Sequence, residues 1–178
     1  MAIRMVASVG FQSHSPLQPD HHDDQPTFSN QKATVHALFD ALNAKDIDGV
    51  IAVRTPECLH IVTPGSLLGE TRTNDEHRAW MRKTMAMLGG QFFTTTIGRE
   101  VHDVSQHEAA VHAHAVSPKK PAGKFKVDFI LFVKFTEDGT RITEVLEVIT
   151  SNYPAEFRAR MHALAEKPSA SEKAKRPE

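Results

Sequence analysis

Residues 124–150 read KFKVDFILFVKFTEDGTRITEVLEVIT. Two runs of alternating apolar side chains flank Thr136, Glu137, Asp138, Gly139 and Thr140, which predicts a β-hairpin. A Glu-Asp-Gly loop suits a three-residue connection, a type I turn followed by Gly139 as a left-handed bulge, and it pairs Thr136 with Thr140. Counting back places Phe129 opposite Glu147, Leu131 opposite Val145 and Val127 opposite Ile149. Alternation then gathers Phe125, Val127, Phe129, Leu131, Val133, Phe135, Val145 and Ile149 on one face, with Glu147 the one acid among them. A carboxylate there costs on the order of several kcal/mol unless it is paired, protonated or hydrogen-bonded. It is either half of an ion pair or a reacting group, and acids held in apolar clefts mark functional sites. Register decides this: a two-residue turn at Asp138 and Gly139 would set Glu147 opposite Ile130 instead.

The opposite face of the hairpin mixes Lys126, Asp128, Glu144 and Thr150 with Ile130, Phe132, Leu146 and Val148. Helical patterns precede it. Ser29 suits a cap for a first helix with the stripe Val35, Leu38, Phe39 and Leu42. Asp46 opens a second, with Ile47, Val50, Ile51 and then Arg54 at helical offsets, so an arginine closes an apolar stripe; Pro56 stops it. Cys58, His60 and Val62 share one side of a strand. A loop follows over residues 63–69. Thr73 and Glu76 have capping-box spacing before a third helix carrying Trp80, Met81, Thr84, Met85 and Leu88, which Gly89 and Gly90 end. Strands follow near 91–103, 108–116, 124–136 and 141–152, and Pro154 opens a closing helix with Phe157, Met161 and Leu164. Helices followed by long strands predict an α+β domain with helices on one face of the sheet. The half-apolar second face predicts a homodimer through Ile130, Phe132, Leu146 and Val148.

Composition sets the bounds. The chain has 178 residues, 40% hydrophobic and 24% charged, with a formal net charge of −1. That is one ordinary globular domain with no global field for nucleic acid or an anionic membrane surface. Residues 1–27 and 167–178 read as disordered tails around a domain at 28–166. The single Cys58 excludes an intrachain disulfide and suits a reducing, cytoplasmic setting. No apolar run reaches the length of a membrane span, and no signal peptide, phosphate loop or dinucleotide fingerprint is present.

The order of elements, with VRTPECLH at residues 53–60, NDEHR at 74–78, FTEDG at 135–139 and EVITS at 147–151, resembles the SnoaL-like branch of the nuclear transport factor 2-like superfamily. Within it the likeness is to small fungal isomerases, cyclases and rearrangement catalysts of natural-product pathways. The resemblance implies a cone-like curved mixed sheet covered by about three helices plus a C-terminal helix, with an internal pocket. It matches the family's pocket arginine to Arg54 and its pocket carboxylate to Glu147. Where relatives carry tyrosines on the strand before the hairpin, this chain has Phe125 and Phe129, and where they end the last strand in an acid it has Thr150.

On this reading Arg54, Glu147 and His60 are the candidate catalytic residues. An Arg54–Glu147 pair explains how both charges are tolerated, and it is either a structural bridge or a working pair. Ionised, Glu147 removes a proton or steadies a cation; protonated, it opens an epoxide or expels a hydroxyl. Arg54 would hold a carbonyl or enolate oxygen. His60 is either a satisfied core histidine or part of the site. Phe125, Phe129, Trp80, Met81 and Met85 would line a site for a bulky apolar ligand. His112 and His114 share a strand face, which is either exposed or turned to a ligand; without an acidic partner at a suitable spacing they predict no metal. The implied function is a cofactor-independent isomerase or cyclase acting on a hydrophobic polycyclic or terpenoid-like metabolite. The alternatives are a hydrolase or dehydratase in the same pocket and a non-catalytic carrier or subunit-binding module.

Overall fold

The computed structural model describes residues 25–63, 70–118 and 126–149, together with residue 159. Helix α1 (Gln25–Ala44) buries Val35, Leu38 and Phe39. It starts four residues ahead of Ser29, so its first turn runs into the stretch read as a tail; Pro26 suits a first helical turn. Lys45, at φ 62°, turns the chain, and the Asp46 side chain caps α2 (Ile47–Ala52) by accepting from the Gly49 amide at 2.9 Å. α2 then ends two residues short of Arg54. Pro56 disfavours helical backbone at Thr55, and the Val53 carbonyl is taken by the Ile142 amide at 2.9 Å. Arg54 is therefore the first residue of strand β1 (Arg54–Thr63), not the last of a helical stripe.

β2 (Thr71–Arg72) leads into α3 (Asn74–Met87), which has the full capping box between Thr73 and Glu76. Gly89 and Gly90 end it at φ 67° and 77°, as the sequence predicts. Four strands follow: β3 (Thr94–Asp103), β4 (Glu108–Val116), β5 (Lys126–Phe135) and β6 (Ile142–Ile149). They form one six-stranded mixed sheet in the order β2-β1-β6-β5-β4-β3. Neighbours are antiparallel except β1 and β6, which run parallel. One face carries Val111, Ala113, Phe129, Leu131, Val133 and Val145 and packs with Val35, Phe39, Val50 and Met81 of the helices into a single core. The architecture is the expected α+β curved sheet with helices on one side.

The hairpin register differs from the expected one by two residues, and the difference has two sources. Thr136 pairs with Arg141 rather than Thr140, because Asp138 accepts from the Thr136 hydroxyl and from the Thr140 amide and hydroxyl, closing a longer loop. A bulge next to Ile142 then adds one more residue. Leu131 faces Glu147, Val133 faces Val145 and Phe129 faces Ile149. Each offset alone would flip every side chain to the other face. Together they restore parity, so Glu147 lies on the helix-covered face and Ile130, Phe132, Leu146 and Val148 lie on the other. The loop itself is pinned to α1 by Asn30 and Thr34, which bond the carbonyls of Asp138 and Gly139.

The expected C-terminal helix with Phe157, Met161 and Leu164, the tail at 167–178, Phe125 and Thr150 lie outside the described residues.

Candidate active site

Cys58, His60 and Val62 lie on the helix-covered face of β1. In the parallel pairing with β6, His60 is level with Val145 and Val62 with Glu147. His60 and Glu147 are therefore diagonal neighbours on adjacent strands. His60 Nε2 is 2.9 Å from Glu147 Oε2, and Arg54 Nη2 is 3.4 Å from His60 Nδ1. A guanidinium only donates, so Nδ1 is the acceptor and the imidazole proton is on Nε2, from which it bonds the carboxylate. The three groups make one directed chain from Arg54 through His60 to Glu147. Arg54 and His60 are buried, whereas the Glu147 side chain is 25% exposed. The chain thus ends at a carboxylate in partial contact with solvent. The direct Arg54–Glu147 pair expected from sequence is absent; His60 stands between the two charges.

A wall of flat groups stands beside this chain. The His77 ring of α3 stacks on His60 at 4.2 Å between centroids and 18° between planes. Trp80 continues the stack at 5.6 Å, Arg72 lies 4.8 Å over the indole, and Phe92 meets it edge-on at 6.3 Å. Arg72 is held in turn by the Glu70 carboxylate, with Nε at 3.1 Å. Buried Nε and Nη1 of Arg54 and Nδ1 of His77 have no hydrogen-bond partner among the described residues.

Burial fixes the charge states. It pushes His60 below the ordinary histidine value, aided by Arg54 and Arg72 and opposed by the bond and charge of Glu147. His77 is held far below that value by burial first, then by the neighbouring His60 and the positive charges of Arg54 and Arg72. Burial also lowers Arg54, against the pull of Cys58 and Glu147. His102, on β3 and bonded to Gln31 of α1, is lowered by burial as well, against Glu100.

These histidines are neutral in the folded chain and free to protonate when it unfolds. As pH falls below about 6.5 the unfolded state binds more protons, so stability is full above that pH and is lost below it. Each such histidine contributes a slope of up to about 1.4 kcal/mol per pH unit. Denaturant titrations between about pH 7.5 and pH 5.5 should show falling stability, with a shallower fall in His77→Phe, which keeps a flat ring and cannot titrate. A flat wild-type profile over that range contradicts the assigned charge states.

Among the other expected site residues, Trp80 and Met85 are half-buried on α3, and Phe129 is buried on the same face as Glu147. Met81 has no exposed surface and is a core residue. His112 and His114 leave the set. On β4 the apolar side chains Ala109, Val111, Ala113 and Ala115 take the helix-covered face, and the alternation puts both histidines on the outer face, opposite Ile130 and Asp128. His77 and Arg72 join the site without having been singled out. His77 has a readable signal, since it precedes Met81, Thr84 and Leu88 at helical offsets on the buried side of α3. Arg72, on a two-residue strand, has none. No group of three or more metal-ligating side chains among the described residues is arranged to hold an ion. No helix among them is long and apolar enough to cross a membrane.

A curved six-stranded sheet with α1, α2 and α3 on one face, and with Arg54, His60 and Glu147 on that covered side, has the nuclear transport factor 2-like fold. A SnoaL-like domain is matched over residues 35–145, and the chain belongs to that family. It is similar to a protein named "Monooxygenase AacuO" from Aspergillus aculeatus, at 24% identity over 72% of this chain and 79% of that protein. It is also similar to "Austinoid biosynthesis cluster protein J" from Aspergillus calidoustus, at 24% identity over 67% of this chain and 72% of that one. Among solved structures, BvnE pinacolase from Penicillium brevicompactum has the same fold, with a TM-score of 0.70 and 22% identity over 79% of this chain and 99% of that chain.

Proposed function

We propose that the protein is an isomerase or cyclase of secondary metabolism, acting on a hydrophobic polycyclic or terpenoid-like intermediate by acid–base chemistry of its own side chains, without a cofactor. The observation that carries this reading is the polar chain ending at Glu147. A buried guanidinium fixes the tautomer of a buried neutral imidazole, and that imidazole donates to a quarter-exposed carboxylate on the helix-covered face. Glu147 is then the group that takes a proton from, or returns it to, a carbon or oxygen of the substrate. His60 steadies the carboxylate from behind. Arg54 is too deep to meet a substrate oxygen past His60, so its role shifts from oxyanion holder to the residue that keeps Nδ1 unprotonated. Trp80 and the apolar side chains around it supply flat, polarizable contact for a ring system. Relatives named for austinoid biosynthesis and a fold neighbour named a pinacolase support chemistry of this kind.

The test is incubation of the purified protein with an extract of a producing strain that lacks the gene. The expected result is a new compound of unchanged mass, formed with no additive. A compound lighter by one water would support the dehydratase alternative. Capture of a compound without conversion would support the carrier.

We further propose that the outer sheet face joins two copies of the chain. Ile130 pairs with Val148 and Phe132 with Leu146, so four apolar side chains are contiguous on the face opposite α1, α2 and α3, and Phe132 is 46% exposed. Light scattering at micromolar concentration should give a dimer mass, and Phe132→Glu should give a monomer. A wild-type monomer would overturn this.

A further inference from the structure

We propose that His77 is a positioning residue of the site, its ring clamping His60 in the one plane from which Nδ1 reaches Arg54 and Nε2 reaches Glu147. This rests on the reading of Glu147 as the reacting carboxylate, though its geometry stands independently. A histidine ring on a strand turns freely about its terminal torsion, which has a broad, roughly two-fold well. The two hydrogen bonds of His60 leave that torsion weakly held, because the bond to Arg54 is long at 3.4 Å. What closes the gap is the stack. His77 covers one face of His60 at 4.2 Å with the planes 18° apart, so rotation of His60 drives an edge into the neighbouring ring.

His77 is itself held. It is 4% exposed, its second face is covered by Trp80 at 5.6 Å, and Trp80 is braced by Arg72 and Phe92. Its backbone sits in the first turn of α3, just after the capping box, and its amide bonds the Thr73 carbonyl at 2.9 Å. Among the described residues its Nδ1 bonds nothing. A histidine retained only for hydrogen bonding would use that nitrogen; this one presents a flat face. Burial keeps both stacked rings neutral. A proton on His77 would add a cation beside Arg54 and Arg72, where Glu70 pairs with Arg72 and Glu147 lies beyond His60.

The experiment is nitrogen-15 NMR of the imidazoles in the wild type, His77→Phe, His77→Leu and His77→Ala at neutral pH, with thermal melts in parallel. The expected result is a single Nε2–H tautomer for His60 in the wild type and in His77→Phe, which restores the flat face. In His77→Leu, which fills the space without a ring plane, and in His77→Ala, His60 should show mixed tautomers or exchange broadening. Turnover should fall about tenfold or more in those two with KM nearly unchanged, and should recover in His77→Phe. Should His77→Ala not fold, His77→Leu gives the same comparison. An unchanged, sharp Nε2–H signal in His77→Leu overturns the proposal. A wild type that turns over nothing, with the NMR pattern as expected, sinks the catalytic reading of Glu147 and leaves His77 as the clamp.

Discussion

Glu147→Gln is expected to lower conversion of the pathway extract by a factor of about 10² to 10⁴, the range for loss of a general acid–base group. The fold should survive unchanged. Glutamine keeps the length of the side chain, and its carbonyl oxygen accepts from His60 Nε2 in place of Glu147 Oε2. What the amide cannot do is take and return a proton. The side chain is also a quarter exposed, so its change leaves no new charge or orphaned donor in the core. A thermal melt within experimental error of the wild type, beside lost conversion, separates chemistry from stability.

Arg54→Met is expected to separate the two in the other direction. Arg54 is 4% exposed, and its Nε and Nη1 have no acceptor among the described residues. Removing a buried charge of this kind relieves a desolvation cost on the order of several kcal/mol. Methionine fills much of the same space. Against this, His60 Nδ1 loses its donor, at a cost of about 1–3 kcal/mol for a buried unpaired group. Glu147 keeps its bond to His60 and partial contact with water, so it is not stranded. The melting temperature should therefore be at or above that of the wild type. Conversion should fall about 10- to 100-fold, by analogy with outer-shell partners that fix the tautomer of metal-bound histidines. Differential scanning calorimetry with the same extract assay checks both halves. A clear drop in melting temperature would show that Arg54 braces the fold.

The pattern of what the sequence reveals follows from how local each feature is. The capping box at Thr73 and Glu76, the glycine stop at Gly89 and Gly90, and the alternation on β4, β5 and β6 are set by near neighbours, and they are legible. Glu147 was identifiable because it breaks a period-two apolar face. Its face was right although its opposite residue was Leu131 and not Phe129, since the loop and the bulge each added one residue. Arg54 stands out for a similar reason, but its offsets from Ile47, Val50 and Ile51 point to a helix, whereas it opens β1. Helical offsets and a short apolar run cannot tell α2 from the start of β1, and the sheet claims Val53 through Ile142. The parallel pairing of β1 with β6 brings together residues 87 positions apart and has no local signal. The interposition of His60 between Arg54 and Glu147 depends on that pairing, so it was not readable. His112 and His114 lie on the outer face, which the sequence leaves open because the two faces of one strand look alike until the core chooses one.

The measurement that bears most directly on the site is product formation from the extract in deuterium oxide, by the wild type and Glu147→Gln side by side, followed by mass spectrometry. Proton return to carbon through a carboxylate in partial contact with solvent should place deuterium at a carbon of the wild-type product, and the variant should form almost none of that product whether the proton moves at carbon or at oxygen. A product free of carbon-bound deuterium, formed equally fast by both proteins, would contradict the assignment of Glu147 as the residue that moves the proton.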